Sequence, residues 1–318
     1  MGTPTAVLLQ PAYDDCDAVL SLIRSGGPFW PLSSYGASPE EMAALGGSAN
    51  TFTPPWFRQD FALEGTPHVP GAELILHNGR FVEAARAVYG ETAVVRPTTV
   101  YVNVMGPTPF AFAPHLDVPA FRGFTRANHP IWLLKVMKTS GVFEHWRVKI
   151  ATAVSWFYAG PGGDFHYWPD GPDCPAAVQR PPFDNVAVVA DNESTFHGVA
   201  PVGPSDARMP MGLTRESRLV RGDGGWDVTH DGDVVTHYDD ATARITVSWK
   251  ADVFADADAA GEFDSSADVL DLDTVMTMLT ADMRSRGIDV ADPGGDVHDR
   301  DWVGALALAY RDAAPAIV

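Results

Sequence analysis

Two short stretches of this chain carry side chains able to hold a metal ion. The first is Phe112-Ala113-Pro114-His115-Leu116-Asp117-Val118-Pro119. The second, Ser194-Thr195-Phe196-His197-Gly198-Val199, brings another imidazole eighty positions after Asp117. Residues i and i+2 of an extended chain project to one side, so His115 and Asp117 can reach a single ion together. With His197 added, two neutral imidazoles and one carboxylate fill three corners of one face of an octahedral ion. The opposite face stays open for substrate and O2, the ligand set of non-haem Fe(II) centres.

A His-x-Asp pair alone says little, and the chain holds a second one, His237-Tyr238-Asp239. Context separates them. His115 and Asp117 follow a strand and lie among prolines and aromatics. His237 and Asp239 end a glycine-rich hairpin whose only downstream histidine is His298, in a polar run. The bland alternative for His115 and His197 is a pair of structural histidines satisfied by backbone groups. His166, in Asp164-Phe165-His166-Tyr167-Trp168, is the best of the other histidines for a substrate contact, although an ordinary aromatic-rich loop explains it better.

The elements that must position these residues can be read from periodicity. Residues 1–94 read as a mixed, helix-bearing flank with amphipathic helices over Asp14–Arg24 and Gly79–Tyr89 and a helix start at Ser38-Pro39-Glu40-Glu41, where Ser caps and Pro takes the first turn. Residues 30–70, rich in Pro, Gly and aromatics, read as covering loops. Strand character dominates residues 95–253: Val94–Val104, Lys149–Tyr158, Val186–Val189, Thr195–Val202 and Ala243–Val253 are β-branched or alternating. The segment from Pro182 to Val202 reads as strand, polar turn, strand, a hairpin that would return His197 beside His115. A helical insert is expected at 127–146 and a hairpin insert at 217–238, with helices again over Asp271–Arg286 and about Asp301–Tyr310 in residues 254–318. The pattern is a single α+β domain, residues 1–318, and its strand-rich centre can close into a barrel or double-sheet jelly roll whose mouth is a natural ligand site.

Composition narrows the partners. With 22 Lys and Arg against 41 Asp and Glu, the net charge of −19 disfavours nucleic acid and anionic membranes and leaves a small molecule as the expected partner. The acids at Asp252, Asp256, Asp258, Glu262, Asp264 and Asp268 read as a solvated surface. Two cysteines, Cys16 and Cys174, rule out a disulfide framework. No signal peptide, myristoylation site or membrane span is evident, so a cytoplasmic location is the default expectation. Neither a Gly-x-Ser-x-Gly elbow nor a Gly-x-x-x-x-Gly-Lys-Ser/Thr loop occurs, which argues against a serine hydrolase and a P-loop enzyme. The sequence says nothing about oligomeric state.

Taken in order, His115-x-Asp117, His197 in a strand, and Arg244-Ile245-Thr246 in a late strand resemble the Fe(II)/2-oxoglutarate-dependent dioxygenases, over roughly residues 95–253. The resemblance implies a double-stranded β-helix, a jelly-roll core flanked by helices. It implies Fe(II) on His115, Asp117 and His197, with 2-oxoglutarate as cosubstrate and O2 at the open positions. Succinate and CO2 would be released as a small organic molecule is oxidised, hydroxylation being the default outcome. Arg244-x-Thr246 looks like the family's Arg-x-Ser/Thr, which binds the distal carboxylate; a guanidinium fork suits a carboxylate better than an ammonium does. Many members place that Arg about eleven residues after the distal His, where Arg208 stands in this chain, in a stretch that reads as loop. Arg244 is preferred because it lies on a strand. Asn103, one strand before the triad, is a candidate for hydrogen bonding to cosubstrate or substrate, and Arg122 for an acidic substrate group or a surface ion pair. Two other readings stay open: an Fe(II) oxygenase without 2-oxoglutarate, and a cupin-like metal-binding or isomerase protein with a different divalent metal or none.

Overall fold

A computed structural model gives the fold for residues 5–36, 52–265, 268–290, 293–311 and 314–317. The expected helix start at Ser38–Glu41 lies outside the described residues. In chain order the strands are β1 Ala6–Leu9, β2 Trp30–Pro31, β3 Trp56–Leu63, β4 Thr66–Pro67, β5 Val94–Met105, β6 Phe112–His115, β7 Ala120–Phe121, β8 Arg147–Phe157, β9 Phe165–Tyr167, β10 Ala177–Gln179, β11 Ala187–Ala190, β12 His197–Val199, β13 Arg218–Gly222, β14 Gly225–His230, β15 Asp233–Asp239 and β16 Arg244–Phe254. They form a large sheet in the order β1-β11-β8-β16-β5-β3-β2, a four-stranded sheet β10-β9-β12-β6, and a three-stranded sheet β13-β14-β15. Every pairing is antiparallel.

Strand alternation gives the large sheet two faces of different chemistry. Along β16, Ile245, Val247, Trp249, Ala251 and Val253 enter the main hydrophobic core. The intervening Arg244, Thr246, Ser248, Lys250 and Asp252 line a cavity on the other side. Strand β5 follows the same rule, with Val100, Val102 and Val104 inward and Thr99, Tyr101, Asn103 and Met105 on the cavity. The core face is covered by helices Cys16–Ser25 and Gly79–Tyr89, through residues such as Val19, Ile23, Phe81 and Ala85. Their starts are fixed locally: Asp15 and Asn78 accept hydrogen bonds from the backbone N–H of Ala18 and Arg80.

The cavity face is closed by the four-stranded sheet. Trp56, Met105, Val154 and Trp156 of the large sheet share a buried cluster with Phe165, Tyr167 and Val199 of the smaller one. Over the rest of the opening lies the expected helical insert, Ile131–Ser140, which packs with helices Leu272–Ser285 and Arg300–Ala309 into a separate apolar cluster containing Trp132, Leu133, Met137, Leu279, Met283, Trp302 and Leu306.

Several sequence expectations need correction. Residues 1–94 are not only helix and loop, since β1 and β3 belong to the large sheet. Strand β3 escaped notice because its pairing with β5 shifts register between Asp60 and Ala62, which breaks the alternation a strand normally shows. The two strands flanking the turn at Asp191–Ser194 do not form a hairpin. Strand β11 pairs with β1 and β8 in the large sheet, and β12 pairs with β6 and β9 in the other, so the turn carries the chain between sheets. The acidic stretch is only partly a solvated surface. Helix Ala257–Ser265, which was not expected, exposes Asp258, Glu262 and Asp264, but Asp252 faces the cavity and Asp268 accepts hydrogen bonds from Arg122, His145 and Trp146. Among the described residues no helix is long and apolar enough to cross a membrane.

Candidate metal centre and anion site

Strands β6 and β12 place His115 directly opposite His197 in their antiparallel register. Paired residues project to the same face, and the two ring centroids lie 4.4 Å apart. Asp117 follows two residues after His115, and its backbone N–H donates to the carbonyl of Asn192 (2.9 Å), within the turn that delivers His197. One candidate ligand atom from each of His115, Asp117 and His197 lies within 4.8 Å of the others, and this is the one such trio among the described residues.

Each imidazole is oriented by its own backbone. His115 Nδ1 is 3.0 Å from the carbonyl of Ala113 and His197 Nδ1 is 3.1 Å from that of Thr195. A carbonyl can only accept, so both Nδ1 atoms carry the proton and both Nε2 atoms present a lone pair. Burial, reinforced by the charge of the neighbouring His197, pushes the His115 pKa down to about 4. Burial also lowers that of His197. Both rings are therefore neutral near pH 7, as ligation requires.

Asp117 is oriented by a residue the sequence reading missed. Its Oδ2 accepts from Lys250 Nζ at 2.6 Å, while Oδ1 lies 3.6 Å from His197 Nε2. Burial alone would raise the carboxyl pKa, but Lys250 and the two imidazoles outweigh it and hold the group well below the usual carboxylate range. In turn, burial opposes the Lys250 charge and Asp117 more than restores it. The signal was present: Lys250 shares the cavity-facing parity of Arg244, six residues along the same strand.

Arg244 lies in the same cavity, fully buried. Its Nε donates to the carbonyl of Gly163 (2.9 Å) and its Nη1 to Thr246 Oγ1 (2.6 Å), while Nη2 is buried without a hydrogen-bond partner. The Phe183 ring sits 5.5 Å from the guanidinium carbon. Gly163 has φ +75°, and a Cβ there would come within 2.9 Å of Arg244 Cδ, so the turn after β8 closes on the arginine only because it carries glycine. No carboxylate forms an ion pair with Arg244 among the described residues, and burial pulls its pKa down to about 9. A buried cation with one donor unmatched is costly unless an anion joins it. Asn103 Oδ1 is likewise buried and unpartnered on the cavity wall.

The other candidates fall elsewhere. Arg208 is exposed, in the segment after β12, and does not line the cavity. The position counted from the distal histidine fails because the chain leaves the sheet after Val199 and comes back to the large sheet only at β16. Arg122 forms an ion pair with Asp268 at 2.9 Å, and His166 sits on β9 outside the cavity lining. His237 is exposed and hydrogen-bonds Asp227 at 2.7 Å, so the second His-x-Asp pair is a surface feature. The cavity is about 890 Å³ in volume and joins triad, Lys250, Thr246 and Arg244 in one space.

No family model and no curated protein matches the sequence. Similar solved structures exist. An oxidoreductase of the 2OG-Fe(II) oxygenase family from Burkholderia pseudomallei is 14% identical with a TM-score of 0.41, over 78% of this chain and 84% of that one. A Trichoplax adhaerens prolyl hydroxylase, in complex with a hypoxia inducible factor peptide fragment, is 12% identical with a TM-score of 0.42, over 84% and 89%. HygX from Streptomyces hygroscopicus, with nickel, 2-oxoglutarate and hygromycin B bound, is 7% identical with a TM-score of 0.37, over 79% and 83%. At these scores the weight of any functional reading rests on the residues of this chain. Beside these likenesses, the chain's own residues supply a His-Asp-His trio that could hold a metal ion.

Proposed function

We propose that this protein is a non-haem Fe(II)- and 2-oxoglutarate-dependent dioxygenase that oxidises, by default hydroxylates, a small organic molecule. The observation that carries the reading is the partnerless Nη2 of buried Arg244 in the cavity that also holds the triad. Such a pairing of sites suits a dianion with one end at a metal and the other on an arginine. The two facing antiparallel sheets are read as a double-stranded β-helix.

His115 Nε2, His197 Nε2 and Asp117 Oδ1 are the atoms to hold Fe(II), and Arg244 with Thr246 those to hold the distal carboxylate. Bound together, Fe(II) and 2-oxoglutarate would let O2 act as the oxidant, one of its oxygen atoms going into succinate as CO2 is released and the other to the substrate. The chain contributes arrangement. Ala113 and Thr195 fix the ring tautomers, Lys250 occupies the carboxylate oxygen that faces away from His197, and Gly163 lets the backbone close over Arg244. Buried Trp156 and Phe165 give the cavity an apolar wall, and the lower local dielectric strengthens the arginine's hold on an anion. An Fe(II) oxygenase without 2-oxoglutarate would leave the Arg244 charge uncompensated, which disfavours that alternative.

The test is anaerobic. Adding Fe(II) and 2-oxoglutarate to the protein is expected to give the visible charge-transfer band of the chelate. His115→Ala and Arg244→Ala are expected to abolish it at the same ligand concentrations. A band unchanged in both variants would remove these assignments.

A further inference from the structure

We propose that Lys135 binds an anionic oxygen group, a carboxylate or a phosphate, on the primary substrate, and so selects acidic small molecules for the centre beside it. The inference deepens the reading above and rests on it. Helix Ile131–Ser140 turns most of its side chains into the helical cluster, where Trp132, Leu133, Val136 and Met137 are buried. Ile131 and Lys135, one turn apart on the remaining face, line the cavity. Packing on the far side thus aims this lysine toward the cavity.

Among the described residues, Lys135 is one of five cations that line the cavity, with Arg58, Arg126, Arg244 and Lys250. Lys250 is matched by Asp117 at 2.6 Å, and Arg58 by Asp60 at 2.7 Å between two tyrosine rings. Arg244 serves the deep end. Lys135 enters no ion pair among the described residues, in a protein with 41 acidic side chains against 22 basic ones. A half-buried lysine with no carboxylate partner among the described residues leaves its charge available to an anion. Its charge reaches the triad: after burial and nearer partners, it is among the influences that keep His115 and His197 neutral. The roughly 890 Å³ space has room for a second molecule beside a five-carbon diacid. An ammonium is a point charge rather than a fork, so it accepts carboxylate or phosphate alike.

The test uses acetate and methylphosphonate as probes, with acetamide as the neutral control, and reads their methyl protons. Saturation transfer from the protein needs no metal. With Mn(II) in place of Fe(II) and 2-oxoglutarate present, paramagnetic broadening reports nearness to the triad. Both signals are expected for one or both anions and not for acetamide. They should fall about five-fold in Lys135→Met and recover in Lys135→Arg. Broadening of acetate alone points to a carboxylate, and of methylphosphonate alone to a phosphate ester. Equal signals in wild type and Lys135→Met, or no preference of the wild type for anions over acetamide, would overturn the proposal. So would a loss of 2-oxoglutarate affinity in Lys135→Met, since the lysine would then serve the cosubstrate. If 2-oxoglutarate fails to bind wild type, the functional reading falls, and saturation transfer still decides for Lys135.

Discussion

Replacing Lys250 by Met removes the ammonium from Asp117 and nearly preserves side-chain length. Both partners are largely buried, with side chains 16% and 13% exposed. Removing one partner of a buried ion pair costs about 3–5 kcal/mol, because the other charge stays desolvated and unmatched. The unfolding entropy of a chain this long is on the order of 0.7 kcal/mol/K, which makes the expected fall in the melting temperature of the metal-free protein about 4–7 °C. In wild type the Asp117 carboxyl is held below its unfolded pKa. That stabilisation is therefore present above about pH 4 and is lost as pH falls through the lower, folded value. The gap between wild type and Lys250→Met should accordingly narrow in acid. A divalent cation on Oδ1 can replace the missing positive charge. Saturating Mn(II) should therefore stabilise Lys250→Met more than wild type, recovering on the order of 2 kcal/mol of the loss. Scanning calorimetry with and without Mn(II) at pH 7 measures each quantity. Unchanged stability of the metal-free variant, or an identical deficit with and without Mn(II), would refute the idea that Lys250 stands in for the metal's charge.

Other outcomes follow from the same geometry. Arg244→Lys should raise the 2-oxoglutarate Kd by about ten-fold or more in calorimetric titration with Mn(II), since an ammonium cannot keep the contacts to Gly163 and Thr246 and still reach an anion, whereas Arg208→Ala should leave it unchanged. Gly163→Ala places a methyl against Arg244 at positive φ and should both weaken 2-oxoglutarate binding and destabilise the fold by about 1 kcal/mol or more. Burial raises the Asp252 pKa to about 6, so above its unfolded value near 3.8 the ionised folded form carries a growing penalty, complete above pH 6. Asp252→Asn should then melt higher than wild type at pH 7.5, by about 1–2 kcal/mol after allowance for partial exposure, and should lose that advantage at pH 4. His237→Ala should retain full Mn(II) affinity, because that imidazole pairs with Asp227 on the surface.

The triad was legible because residue type, spacing and context agreed: His115 and Asp117 share a parity after a strand and among prolines and aromatics, and His197 opens a strand. Arg244 was legible because it stands on a strand and, with Thr246, resembles an Arg-x-Ser/Thr pair; the fold puts it in the cavity that holds the triad. Lys250 was passed over although it shares the parity of Arg244, since no motif marks it and a lone lysine in a strand looks like an ordinary surface residue until the cavity behind it is known. The strand at Trp56–Leu63 was hidden by its irregular register. The route of β12 was hidden because sequence alone does not say which sheet a strand joins, and adjacency in the chain favoured a hairpin. Fine positioning contacts, such as those from the carbonyls of Ala113 and Thr195, involve main-chain atoms that every residue possesses and that leave no mark in composition.

The direct pairing of His115 with His197 has a consequence for how such a protein can change. Backbone hydrogen bonding sets the distance between the two imidazoles, and a slip of a single residue would turn one ring to the far side of its sheet. Gly198 permits the close approach, since a Cβ there would meet Phe112 O at 2.9 Å and Pro114 N at 3.0 Å. The ion's gauge is thus built into a few ladder rungs, while the roof that carries Lys135 is folded from a separate stretch of chain with its own apolar cluster. Drift in that roof can retune which guest is admitted without touching the ruler beneath it.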